Sequence, residues 1–536
     1  MKNILKFFAV FVAITVVGIG CTNLDETLQD RLTKDQVTAA SVSDLLSELY
    51  ITLGSVGDNI TFEHTSDDII QPTRGGDWDD NGAWRALHQH RWDPEHSTIM
   101  GAYQMYTSGL FSAIDLLQYD CTPQQEAEAR FIRAFYIFYI VDGWGQVPMR
   151  DPGSALSEDP YVMTSSEAIA FVISELEAIM SNLPTNEDSW VVTQAAAHAL
   201  LAKAYLNKDV YDSDRQSFTF SNDNMSKVIS NCDAIISSGN YSLESDYYKM
   251  FSSDNENSSE FILSVHNIRG IRSSGVSGRY YATLHYNQKP SGWNGFTTLA
   301  DFYDSFEDND IRKHGEVPAV KAASGLDAGL IYGQQYSEPY DVPFNELSED
   351  EQDALKSRIW FSNPDNFTGW VQLDDGRFKL KDRAGNPLFF TKESPIISSG
   401  ATLETSGIRI MKYTPDYENT NTPENDVSLL RYADVLLMKA EALLRTGDSA
   451  GALAIVNQLH SVRGASQLSS IDEDEMLAER GRELWNENWR RNDLVRFGKY
   501  LDAWGEKPAS DPKYLLFPFS SGQLASNPNL QQNPGY

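Results

Sequence analysis

The sequence predicts a mainly α fold: a body of tetratricopeptide-like helix pairs interrupted by an irregular, loop-rich middle. Three observations carry that prediction. Apolar residues recur at spacings of three and four through both ends of the chain. One stretch near the C-terminus reads as two short helices joined by a tight turn over roughly 34 residues, the span of a tetratricopeptide unit. Between 246 and 425 the period dissolves, and glycine, serine and asparagine become frequent.

The helix pair is the clearest element. Leu429, Ala433, Leu436, Leu437, Ala440, Leu443 and Leu444 fall on one helical stripe. Asp426 or Ser428 can cap its start by accepting from free first-turn amides, and Gly447 can end it in the left-handed conformation. Ser449 can cap a second helix carrying Ala452, Leu453, Ile455, Val456, Leu459 and Val462, which Gly464 ends. Small alanines at the contact let the two axes approach closely. A third helix is expected over 472–489.

In chain order, helices are expected at 35–53 and 98–118, with a loop-rich stretch over 54–96. Pro123 opens another helix, which Gly143-Trp144-Gly145 ends. Further helices are expected at 165–183, 195–206 and 226–237. Leu200 to Ala204 echoes Leu436 to Ala440, a weak internal repetition of the kind stacked hairpins show. Strand-like runs appear at 260–265, 280–286, 369–373 and 377–380. The body is read as a unit over 35–536, with a helical half at 35–240, the irregular middle at 241–425 and the last helix pairs and tail at 426–536.

The N-terminus reads as a targeting segment. Lys2 and Lys6 precede an apolar run over 7–17, long enough for a signal-peptide core and too short to span a bilayer. Gly18-Ile19-Gly20-Cys21 then reads as a lipoprotein cleavage site. Residues 1–20 are the expected leader, Cys21 the lipidated residue and 21–34 a polar tether. With Cys21 acylated, Cys121 and Cys232 remain, either paired or as two buried thiols.

The net charge is −33, from 43 Lys and Arg against 76 Asp and Glu. A surface this acidic repels nucleic acid and anionic membrane faces, and it disfavours a polyanionic ligand. Among catalytic patterns there is no GxSxG elbow, Walker loop, HExxH or CxxC pair. His88, His90 and His96 lack Cys or Glu partners at metal-ligand spacing. Glu307-Asp308-Asn309-Asp310 lacks the glycine and final glutamate of a calcium loop. No cofactor is therefore expected, a structural calcium being the one considered.

The positive signal is tryptophan in loops. A flat indole stacks on the C–H face of a sugar ring while polar neighbours bond its hydroxyls. One stretch provides Asp68, Arg74, Asp77 and Trp78, with Trp84 closer to helical context. A second provides Tyr286, Trp293 and Asn294. Trp144, Trp485 and Trp489 lie in helix-packing patterns and read as core.

Three segments carry a family resemblance: LLRYADVLLMKAEALLRTGD, ERGRELWNENWRRNDLVRFGKY and the closing LLFPFSSGQLASNPNLQQNPGY. They resemble the SusD/RagB family of glycan-binding surface lipoproteins of Bacteroidetes. Asp25 and Glu26 after Cys21 resemble the acidic export signal of Bacteroidetes surface lipoproteins. The resemblance implies an α-superhelical body of four tetratricopeptide-like pairs packed against an irregular ligand-facing region. It implies a glycan platform on aromatic residues, with Trp78 and Trp293 in the matching regions. It also implies a lipid-anchored protein of the outer-membrane surface that is not an enzyme. Such a protein captures an oligo- or polysaccharide and delivers it to a SusC-like TonB-dependent transporter. The acidity points to a neutral glycan, with a β-glucan such as laminarin or a fructan as the named candidates. The readings from other classes are an extracellular glycoside hydrolase and a tetratricopeptide-type protein-binding adaptor.

Overall fold

The computed structural model describes residues 37–74, 80–397 and 401–536. Its N-terminal helices are α1 (Ala39–Asp58), α2 (Ala83–His88), α3 (Ser97–Leu116), α4 (Pro123–Trp144), α5 (Ser165–Ile179), α6 (Gln194–Tyr211) and α7 (Asn222–Ser238). The hairpin β1 (Gln146–Met149) and β2 (Tyr161–Thr164) joins α4 to α5. Local chemistry sets the ends. Thr38, Thr122 and Thr164 form reciprocal capping boxes, Pro123 sits at the first helical position, and Gly145 closes α4 at φ 71°.

Successive helices pack on one another from α3 through α7. At Gly109 the contact of α3 with α4 admits no side chain, because a Cβ would stand 2.1 Å from the Tyr136 ring. The core is aromatic where α3 and α4 meet. Tyr106 stacks on Tyr139 at 5.3 Å, and Phe62 and Trp144 pack beside them.

The stack resumes beyond the middle. Strands β3 (Phe261–Val265) through β13 (Val427–Arg431) bound it, and β13 runs directly into α12 (Tyr432–Arg445). Helix α12 packs on α7 and on α13 (Ser449–Arg463), then α14 (Glu473–Leu484) and α15 (Arg490–Arg496) follow. Because β3 pairs antiparallel with β13, the chain leaves the helical body and returns to it through neighbouring strands. The residues between them hold three short helices near the site, α8 (Ser277–Thr283), α9 (Ala300–Asp304) and α10 (Pro318–Ser324), and a fourth, α11 (Glu349–Lys356), farther on. They also hold small sheets rather than one large one. A three-stranded sheet joins β4 (His314–Gly315), β5 (Ala328–Ile331) and β12 (Arg409–Met411), with β5 in the middle.

Several expectations are corrected. The C-terminal pair begins at Tyr432, not Leu429, because 427–431 is a strand. Its cap is not a side chain: Asp426 instead accepts from the Asn267 amide at 2.7 Å. Asp448 caps α13 where Ser449 was expected. The run 280–286 reads as strand yet supplies the end of α8. The third C-terminal helix stops at Leu484. Asn486 and Asn488 adopt left-handed φ of 56° and 67°, and asparagine tolerates that region better than most residues. Cys121 and Cys232 are both free, Cys232 fully buried.

A buried ionic lattice fastens the middle to the C-terminal helices. Glu483 of α14 accepts from Arg431 at 2.7 Å, Arg463 at 2.8 Å and Arg312 at 3.1 Å. Arg312 also meets Glu479 at 2.6 Å, Arg463 meets Glu260 at 2.6 Å, and Glu487 joins Arg431 and Lys412. Burial alone would raise the Glu483 carboxyl, but the three guanidiniums outweigh it and hold it well below the usual carboxylate range.

The C-terminal tail is docked. Asn533 donates to the Trp144 and Phe517 carbonyls at 2.9 and 2.7 Å, and Trp92 donates to the Tyr536 hydroxyl at 2.8 Å. No helix among the described residues is long and apolar enough to cross a membrane.

Candidate functional site

Helix α8 and the turn after it build an aromatic surface. The chain folds back on the helix: the Trp293 amide donates to the Tyr281 carbonyl at 2.6 Å, and Asn294 and Gly295 donate to Leu284 and Ala282. Gly292 is required at this closure, since a Cβ there would lie 2.1 Å from the Leu284 carbonyl oxygen. Asn294 takes φ 57°, which turns the preceding residue outward. Trp293 is consequently 48% exposed, with its ring stacked on Tyr281 at 5.9 Å and 22°. Tyr281 donates to Asn421 at 3.2 Å, and Tyr417 donates to the Lys289 carbonyl at 2.7 Å.

The two stretches singled out in the sequence are brought together. Ile70 and Thr297 exchange backbone hydrogen bonds at 2.8 and 2.9 Å, and Thr298 continues the pairing to Ile408. Arg74 spans the junction, donating to Gly295, Leu403 and Ser406 carbonyls. Thr73 bonds Pro395 and Ile397, which brings the described residues before 75 and before 398 side by side.

Most of the polar residues expected to touch ligand lie beneath this surface. Arg74 is buried and positions loops. Asn294 is fully buried, donating to the Glu404 carbonyl and accepting from Arg409. Asp68 is buried against Ser66 and the Asn486 amide, and burial raises its carboxyl. For all three, a polar side chain in a loop proves to satisfy buried backbone rather than to face solvent. Trp84 is half-buried between the His64 and Phe296 rings at 4.5 and 5.2 Å. Tyr286 is half-exposed under the Arg383 guanidinium at 4.8 Å. Trp78 and Asp77 lie outside the described residues, as does Cys21. Trp144, Trp485 and Trp489 are buried. Tyr281 sits in a run that alternates like a strand, which hides its place on a helix, and Tyr417 stands in an irregular stretch with no local signal.

The carboxyls tied into this surface are held ionised. Burial pushes Glu404 up, but His285, the Arg383 amide and the Arg383 side chain outweigh it and bring it to about 2. Glu338 is likewise lowered by its paired Arg358 against the effect of burial. Neither can donate a proton near neutral pH, as a glycosidic general acid must. The histidines considered for metal are engaged elsewhere: His88 with the Ile69 and Gly505 carbonyls, His90 with Thr65 and Ser510, His96 with Ala83. Of the acidic run, Asp310 pairs with Arg312 and Asp308 with Lys313. No group of three or more His, Cys, Asp or Glu suited to a metal occurs among the described residues.

The sequence profile of the SusD family matches residues 237–536, more than half of the chain. The chain belongs to the SusD family. It is 26% identical over 444 residues to the starch-binding protein SusD of Bacteroides thetaiotaomicron, covering 77% of this chain and 73% of that one. A SusD superfamily protein from Parabacteroides distasonis superposes with a TM-score of 0.69 at 18% identity, over 94% of this chain and all of the other. A laminarin-binding SusD-like protein superposes with a TM-score of 0.66, also at 18% identity, over 93% and 99% of the two chains. Like its family, the chain is a binding protein and not an enzyme.

Proposed function

We propose that this SusD-family protein captures a neutral glycan at the cell surface on the platform carried by Trp293 and passes it to a SusC-like TonB-dependent transporter. The observation that carries the reading is the half-exposed Trp293 ring, stacked on Tyr281 and presented by a turn that buried bonds hold rigid. Rigid exposed aromatics with amides at the rim suit a pyranose face. Trp78 and Asp77 follow Arg74, which donates to the Gly295 carbonyl beside this turn, and we assign Trp78 as a second stacking ring. The net charge of −33 favours a neutral ligand over an anionic one. Starch and laminarin, named for two of the relatives, are both neutral glucans. Laminarin and a fructan are the ligands to try first. Removal of the leader at 1–20 would leave acylated Cys21 and the tether over 21–34 to hold the body over 35–536 at the outer-membrane surface. No cofactor is needed.

Affinity electrophoresis of the purified protein through gels containing laminarin, levan or starch tests the reading. Retardation by at least one polymer, with no new reducing ends released, is expected. Free mobility in all three, or release of reducing ends, would overturn it.

A further inference from the structure

A second aromatic site lies in the irregular middle, apart from the Trp293 platform. It is a cavity of about 320 Å3 beneath Tyr332, the residue that links β5 to β6 (Gly333–Gln334). Its wall is made by Tyr303 of α9, Tyr332, Tyr336 at the start of β7 (Tyr336–Pro339), His314 of β4, Gln334 and Arg377. None of the residues that hold or flank Trp293 lines it. The volume falls at the lower end of the roughly 300–1,000 Å3 typical of small-ligand pockets.

The rings are held in place from behind. Phe389 meets Tyr332 edge-on at 5.8 Å, and Tyr332 is tilted 50° to Tyr303 at 5.9 Å. Lys392 lies over both tyrosine rings, at 5.2 and 5.9 Å, and is anchored to Asp304 at 2.5 Å. Arg377 covers Tyr336 at 5.4 Å and is anchored to Asp375 and the Gly325 carbonyl. Tyr332 remains 42% exposed and Phe389 45% exposed.

The chemistry on offer is specific in class. The three cations that meet these rings, Lys313, Lys392 and Arg377, are each paired with a carboxylate, so among the described residues the cavity carries no free positive charge for an anion. Tilted rings leave a corner instead of a parallel slot, which disfavours a flat aromatic ligand. The hydroxyls of Tyr303, Tyr332 and Tyr336 make no hydrogen bond to the described protein and stand ready for a partner, as does the His314 ring. Apolar C–H faces against tilted tyrosines, with several hydroxyls and an imidazole in reach, match a neutral pyranose.

We propose that this cavity is a second, separate subsite for neutral sugar, one that engages another segment of the same polymer. The inference rests on the glycan-capture reading above. Leu326 lines the cavity and belongs to the apolar cluster on which Tyr281 packs, so one small core supports both sites. Two weak sites at fixed separation on one rigid foundation raise affinity for long chains far more than for short ones.

Calorimetric titration with laminarihexaose and laminarin tests this on wild type, Tyr332→Ala and Trp293→Ala. Two hexaose sites are expected in wild type and one in each variant. Tyr332→Ala should weaken laminarin by about tenfold or more. Tyr332→Phe keeps the packing on Phe389 and loses only the hydroxyl. It carries the test should the alanine variant melt early, with a loss of about three- to tenfold at the second site. One hexaose site in wild type, or two unchanged sites in the Tyr332 variants, would overturn the proposal while leaving the Trp293 platform standing. No heat from wild type with either ligand would remove the β-1,3-glucan reading and this proposal together.

Discussion

Glu483→Gln removes the anion at the centre of the buried lattice and changes little else in shape. Three guanidiniums donate to it, and its side chain is fully buried. Breaking one buried ion pair costs about 3–5 kcal/mol, mostly because the abandoned charge stays desolvated. Here each arginine keeps a second acid: Arg312 has Asp310 and Glu479, Arg431 has Glu260 and Glu487, and Arg463 has Glu260. The loss is therefore expected at about 3–5 kcal/mol for the lattice as a whole, not for each arginine. Denaturant unfolding followed by tryptophan fluorescence reads it, since Trp485 is buried beside the lattice and accepts Lys412 at its carbonyl. Glycan binding by the folded variant should be unchanged, because no lattice residue reaches the platform. A loss below about 1 kcal/mol, the value for exposed pairs, would refute the claim that this lattice fastens the middle to the helices.

Three further outcomes are expected. Deleting residues 527–536 strands the Trp144 and Phe517 carbonyls, and at about 1–3 kcal/mol per unsatisfied buried group a melt should show clear destabilisation with glycan binding retained. Burial holds His64 neutral, down to about 3, so its contribution is complete above the unfolded value near 6.5 and is lost as pH falls from there. Between pH 6.5 and 4.5 that is about 2–3 kcal/mol, and melts of His64→Phe across this range should fall less steeply than those of wild type. Cys21→Ala should move the protein out of the detergent phase of cell extracts; unchanged partitioning would end the lipoprotein assignment.

The helical body was readable because its signals are local. Pro123 at the first helical position and the stripe through Ala433, Leu437 and Ala440 need only neighbours a few residues away. The start of α12 was not readable, because 427–431 becomes strand only through pairing with 261–265, far off in the chain. The buried lattice left a trace in the alternating acids and bases from Glu479 to Arg496, but composition alone suggests a solvated face. Within the site, a loop tryptophan could be singled out as a candidate. Loop arginine and asparagine could not be told from ligand contacts, because Arg74 and Asn294 satisfy carbonyls that the sequence gives no way to place. The Tyr303–Tyr332–Tyr336 cavity assembles from three elements and leaves no motif.

The glycan platform proposed above depends on the Trp293 ring for stacking. Removing it should cost about 0.5–1.5 kcal/mol of stacking beyond buried area. The lost apolar contact, at roughly 25 cal/mol per Å2, brings the total to about 2–3 kcal/mol. Micromolar to millimolar binding amounts to about 4–8 kcal/mol in all, so Trp293→Ala should lose most of its laminarin affinity and keep only the weak binding of the cavity beneath Tyr332. Its melting temperature should stay near wild type, since half the ring is already exposed. Undiminished binding by a folded Trp293→Ala variant would contradict the account.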